Sequence, residues 1–270
     1  MSHLPSRTPG QIQQPGYAHD PFIACYRHAS TANTIASSES DAWYGAAHIL
    51  FDINLSVGKG EVVALMGRNG AGKSTTIESI MGLVHHRGTL QFMGHDIGAW
   101  KPYQIARAGI GFVPEERRIF ADLSVMENLD TGRQPPRVWP DGQAVAHWSV
   151  ESIFTLFPNL AGMRSRRGGQ MSGGEQQMLA VARTLMGNPY LLLLDEPSEG
   201  VAPIVVEQMI KMVLALKEQG VSILLSEQNM DFARQVCDRV YILEKGQIKY
   251  EDTMHALVHD AQAKAHFLAV

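Results

Sequence analysis

Apolar positions fall into two alternating rhythms once Trp43 is passed. Residues 49–57 alternate apolar and polar side chains, and residues 61–66 form a short apolar run that enters a glycine-rich stretch; both patterns predict strands. Ile77, Ile80, Met81 and Val84 then recur at helical spacing, and residues 89–93 return to a strand pattern. After Ser172 a helical period runs to Met186, followed by a strand that ends at Asp195. Pro203 suits the first turn of a helix over residues 204–219, with Gly220 as its C-terminal cap. Residues 221–225 read as a buried strand and residues 240–250 as a hairpin turning at Lys245-Gly246. Strands alternating with helices predict an α/β fold with a mainly parallel sheet covered on both faces.

Two segments depart from this rhythm. Residues 1–40 are rich in Ser, Thr, Ala, Pro, Gly and Gln without a sustained period, which predicts a disordered leader, and residues 41–270 form the folded domain. Residues 97–170 carry Pro135, Pro136, Pro140, two arginine-rich patches and short helical patterns at 125–129 and 150–156. They read as a smaller, mainly helical subdomain inserted in the sheet. No internal repeat appears, so the chain holds one such unit.

Composition narrows the chemistry. With 270 residues, 45% of them apolar, a sizeable core is within reach, and a formal charge of −4 argues against a nucleic-acid partner. The two cysteines, Cys25 and Cys237, offer neither a disulfide framework nor metal-ligand spacing, and His85 and His86, as chain neighbours, point apart. No run approaches the ~20 apolar residues of a membrane-spanning helix.

Gly67-Arg68-Asn69-Gly70-Ala71-Gly72-Lys73-Ser74, set between a strand and a helix, fits the G-x-x-x-x-G-K-[ST] phosphate loop. Glycines let backbone N–H groups turn toward the β-phosphate, and the helix that follows presents its positive end to the anion. Lys73 is placed for the β/γ oxygens and Ser74 for Mg²⁺, so a nucleoside triphosphatase is predicted. The apolar strand ending in Asp195-Glu196 carries Asp195 to the carboxyl edge of the sheet, where it can hold Mg²⁺, with Glu196 beside it to polarise the attacking water. Read alone, Met171-Ser172-Gly173-Gly174-Glu175-Gln176-Gln177 is a capping box, Ser172 to Glu175, opening an amphipathic helix. Two glycines at such a helix start also make an exposed anion site.

That last segment, 23 residues before Asp195, resembles the LSGGQ-type signature of ABC (ATP-binding cassette) ATPases, with Met171 for the usual Leu and Glu175 for the usual Gln. The resemblance covers residues 43–250 and implies a P-loop NTPase (RecA-like) core with an antiparallel β subdomain and an inserted helical ABC subdomain. It implies ATP and Mg²⁺ as cofactors, with ATP held by Arg68, Asn69, Gly70, Ala71, Gly72, Lys73, Ser74 and Thr75. A second cassette's Ser172, Gly173, Gly174 and Glu175 then face the γ-phosphate. Tyr44, 23 positions before Gly67, stands where the family stacks an aromatic ring on adenine, with Trp43 next door as the other choice. Glu115, in Gly111-Phe112-Val113-Pro114-Glu115, replaces the usual Gln of the loop linking the sheet to the helical subdomain. It joins Ser74 and Asp195 as a metal candidate. Gln228 replaces the family's switch histidine; an amide can donate to the γ-phosphate but cannot titrate.

Val113-Pro114-Glu115, Glu227-Gln228-Asn229 and Glu199-Gly200-Val201-Ala202-Pro203 together resemble the ATPase subunits of bacterial high-affinity branched-chain amino acid uptake systems, whose relatives serve urea and short amides. This implies a second ABC ATPase subunit, identical or different, two integral-membrane permease subunits and, indirectly, a periplasmic solute-binding protein. It places the chain at the cytoplasmic face of the inner membrane, with residues 119–123 against the permease. The alternatives are a regulatory cassette with weak hydrolysis, motivated by Gln228, and a non-transport ABC ATPase.

Overall fold

A computed structural model describes residues 33–267. Two sheets organise it. β1 (Asn33–Tyr44), β2 (Ala47–Gly58), β4 (His85–Phe92) and β5 (His95–Asp96) form a four-stranded antiparallel sheet in the order β2-β1-β4-β5. The second sheet has six strands, β10-β9-β3-β8-β7-β6. Here β3 (Val62–Met66), β6 (Ile110–Val113), β7 (Leu191–Asp195), β8 (Ser222–Glu227) and β9 (Arg239–Glu244) run parallel, and β10 (Gln247–Thr253) pairs antiparallel with β9. All five residues of β3 and of β7 are buried, as a parallel strand covered on both faces requires.

The helices are α1 (Lys73–Ile80), α2 (Pro102–Ala108), α3 (Val125–Gly132), α4 (Val150–Leu156), α5 (Pro158–Ala161), α6 (Gly173–Leu185), α7 (Pro203–Glu218), α8 (Met230–Val236), α9 (Met254–His259) and α10 (Ala261–Phe267). Ser172 caps α6 through a reciprocal box with Glu175, and Pro203 opens α7. Gly220 follows α7 at φ +76°, the left-handed conformation that ends a helix. One core lies between the sheet and α6, α7 and α8; a second joins the other sheet face to α1 and the antiparallel strands. No helix among the described residues is long and apolar enough to cross a membrane.

Three boundaries differ from the sequence reading. Residues 33–40, expected to belong to a disordered leader, are instead the first part of β1: Ile35 is fully buried, and Thr34 Oγ1 lies 3.0 Å from Ser222 Oγ, joining the two sheets. Residues 1–32, including Cys25, lie outside the described part. The inserted segment does not start at residue 97. Ile97 packs in the core beneath the antiparallel sheet, and β6 is an edge strand of the main sheet, so the helical insertion begins after Val113. Within it, residues 134–148 are irregular, held by a bridge between Val138 and Ala144 rather than by helix. Finally, β4 starts at His85 rather than at residue 89.

Candidate active site

The phosphate loop leaves β3 at Met66. Gly67 (φ +151°) and Gly72 (φ +112°) are backed so closely that a Cβ would lie 2.4 Å from the Leu243 carbonyl oxygen and 2.7 Å from Leu50 Cδ2, respectively. At Gly67 the obstacle is backbone, and at both positions the positive φ strains any other residue. The loop is braced from behind by the β9–β10 turn: Gly246 N–H donates to Ala71 O, and Phe51 N–H donates to Gly246 O, each at 2.8 Å. Arg68, Asn69 and Gly70 lie exposed at its tip, while Ala71, Gly72 and Thr75 are buried. Lys73 folds back under the loop, donating from Nζ to Gly67 O at 2.9 Å and Arg68 O at 3.3 Å. The Lys73 ammonium thus lies against the loop at the start of α1, the positive end of a helix, which favours an anion.

Parallel pairing aligns the remaining chemistry. Met66 is level with Glu227, Asp195 with Ser226, and Val113 with Leu194, so the residues that follow these strands emerge side by side. Asp195 Oδ1 accepts from Ser74 Oγ at 3.0 Å and from Ser226 Oγ at 2.5 Å. Burial pushes the Asp195 carboxyl above the usual carboxylate range, opposed by these two hydrogen bonds. Glu196 is buried beside it at φ +43°, a left-handed conformation that costs a non-glycine residue about 1–3 kcal/mol and concentrates at functional sites. Its Oε1 pairs with Lys73 Nζ at 3.0 Å, and its Oε2 accepts from Gln228 Nε2 at 2.6 Å. Gln228 Nε2 also donates to Asn69 Oδ1 at 2.6 Å, tying the switch position to the phosphate loop. Glu115 is exposed, and partial desolvation followed by repulsion from Glu196 and Asp195 raises its pKa, which places it in their field.

These donors fit Mg²⁺. Ser74, Asp195 and Glu115 offer only hard oxygen ligands, and a cation would offset the penalty of the buried Asp195 charge. An anion cradle, a site for a hard cation and a carboxylate next to both suit cleavage of a phosphoanhydride by water.

Tyr44 stands apart from this cluster, about half exposed at the end of β1, its hydroxyl bonded to Glu78 of α1. Trp43, the other choice, has its ring stacked on His48 with centroids 4.4 Å apart. Ser172 is exposed, and Glu175 Oε2 accepts its N–H at 2.7 Å. Gly174 is buried against α7, where a Cβ would lie 2.5 Å from Val205 Cγ2. Ser172 thus opens to solvent while the glycine two residues on is packed inside. Three residues near these sites had no role assigned from sequence: Ser226, Glu227 and Arg117, whose Nε donates to Gln177 Oε1 at 3.2 Å beside the start of α6. The signal for the first two was legible, since two polar residues follow the apolar run Ile223–Leu225 at the end of a strand that is buried throughout.

Residues 50–199 match the family described as ABC transporter. The chain is 40% identical over 227 residues to the high-affinity branched-chain amino acid transport ATP-binding protein BraG of Pseudomonas aeruginosa, covering 84% of this chain and 95% of that one. It is 34% identical to the lipopolysaccharide export system ATP-binding protein LptB of Haemophilus influenzae, covering 88% of this chain and 96% of that one. Among solved structures, a nucleotide-free ATP-binding cassette from an ABC transporter superposes with a TM-score of 0.71 at 27% identity, covering 86% of this chain and 97% of that one. Phosphate loop, signature turn and paired acidic residues thus sit on a fold and a sequence that agree, and the chain belongs to the ABC transporter family as one of its ATP-hydrolysing subunits.

Proposed function

We propose that this subunit powers an importer of branched-chain amino acids or a related small polar solute, as one of two cassettes bound to two membrane permease subunits at the cytoplasmic face of the inner membrane. A periplasmic solute-binding protein supplies such a system. ATP is held by residues 68–75 of one cassette and by Ser172, Gly173, Gly174 and Glu175 of the other, with adenine on the free face of Tyr44. Mg²⁺ bound by Ser74, Asp195 and Glu115 neutralises phosphate charge. Glu196 orients the attacking water and accepts its proton, while Gln228 holds the Glu196 carboxylate and donates toward the γ-phosphate. The observation that carries the shared site is the exposure of Ser172 at the start of a well-formed helix, with the Arg117 guanidinium beside Gly173 as a further anion-binding group. A groove of about 520 Å³ lined by Phe112, Phe120, Arg118 and Arg183 lies next to residues 119–123 and suits the permease.

The similarity to BraG supports import, and that to LptB favours a second reading, a lipid exporter. Deleting the gene and following labelled leucine, valine and short amides separates them. Uptake lost and restored by the parent chain, but not by Glu196→Gln, supports the importer. Normal uptake of every solute, with lipopolysaccharide retained inside the cell, replaces it with the exporter.

A further inference from the structure

Glu227 closes β8 and is 2% exposed, yet among the described residues no cation pairs with it. A buried carboxylate is costly unless its oxygens are fully used. Here they are used mainly by backbone: Oε1 accepts from Ser198 N–H at 3.1 Å, and Oε2 accepts from Gln228 N–H and Asn229 N–H, each at 3.0 Å, with the Ser198 side chain as a further hydrogen-bond partner. The two oxygens therefore reach two different turns. One is the turn after Glu196, closed by Glu199 N–H donating to Glu196 O at 3.0 Å and lying at the exposed rim. The other carries Gln228, whose side chain ends on Glu196 Oε2. Charged acceptors make stronger hydrogen bonds than neutral ones, so this joint is stiffer than an amide or hydroxyl would provide.

We propose that Glu227 is a positioning residue for hydrolysis, whose carboxylate locks the Ser198 turn to the Gln228 turn and so holds the Gln228 amide against Glu196. Displacement of the Ser198 turn by a neighbouring subunit is thereby handed to Gln228. The inference rests on the proposed roles of Glu196 and Gln228.

Glu227→Gln keeps the volume but turns an NH₂ group toward at least one backbone N–H. In steady-state phosphate release by the full-length chain, kcat is expected to fall about 10-fold with KM for ATP within about twofold, the size of one charge-assisted hydrogen bond. Because Glu227 acts through Gln228, the same substitution in a Gln228→Ala background is expected to change kcat less than about twofold. A lowered melting temperature with parental kcat per folded molecule, or effects that multiply in the double variant, overturns the proposal. If Gln228→Ala alone leaves kcat unchanged, the catalytic reading itself fails and takes the proposal with it. Should Glu227→Gln not fold, Glu227→Asp keeps the charge and withdraws it by one methylene. Parental kcat in that variant overturns the proposal, and a lowered kcat at unchanged KM supports it.

Discussion

Lys73 and Glu196 form an ion pair whose side chains are almost fully buried, so each depends on the other. Lys73→Ala removes the cation from the phosphate loop and leaves Glu196 uncompensated. Loss of one partner of such a pair costs about 3–5 kcal/mol, so both nucleotide affinity and the melting temperature should drop, measured by titration with a fluorescent ATP analogue and by calorimetry. Glu196→Gln behaves differently: phosphate release should slow by roughly 10²–10⁴-fold while ATP still binds, since a general base is lost but the cradle is not. Asp195 gives the pH dependence. Burial raises its pKa, so it takes up a proton at higher pH than an exposed carboxylate, and the acid limb of kcat/KM should lie above the ordinary carboxylate range. The same raised value makes the group favour the folded state increasingly as pH falls through it, so this limb reflects lost function rather than unfolding. At this scale the phosphate loop and Glu196 were legible because their motifs fix residue type at fixed spacing. The polarity of Ser226 and Glu227 at the end of a buried strand marks them, but their partners, Asp195 and Glu196 for the one and two turns for the other, are not revealed by spacing along one chain.

The elements were legible where period and capping agree, as for α6 with its Ser172–Glu175 box and for the β9–β10 turn, where Lys245 and Gly246 both take positive φ. β1 was misread in its first half. Its pairing with β2 and β4 shifts register between Ser37 and Asp41, which breaks the period of two, and several of its buried positions are Thr34, Ser37 and Ser40. Such a strand has the composition of a disordered segment. It should nevertheless matter: Ile35→Ala is expected to cost about 2–5 kcal/mol in denaturant titration, as for other fully buried aliphatic residues. β6 went unrecognised as a sheet strand because four residues are too few to display a rhythm. At the signature turn, Gly174→Ala should push α6 from α7 and destabilise by about 1–3 kcal/mol, with Val205→Ala in the same chain restoring the melting temperature, since it removes the methyl groups the new Cβ meets.

For the whole molecule, the family and its ATPase chemistry were readable from three ordered motifs, whereas the cargo was not, because cargo is chosen by surfaces on other chains. What this chain contributes is half of each proposed pocket. With ATP, Glu196→Gln should sediment as a dimer, and Ser172→Arg introduced into it should leave nucleotide binding intact and abolish the dimer; dimers that persist remove the signature turn from the interface. The hairpin behind the phosphate loop has a further consequence. Gly246 braces Ala71 and Phe51, and Leu243 backs Gly67, although these residues are separated by more than half of the polypeptide. A ribosome that has emitted the whole glycine-rich segment has not yet made its support. Nascent chains stalled before this hairpin should therefore fail to retain ATP, and the subunit gains its grip on fuel only once the hairpin has been made.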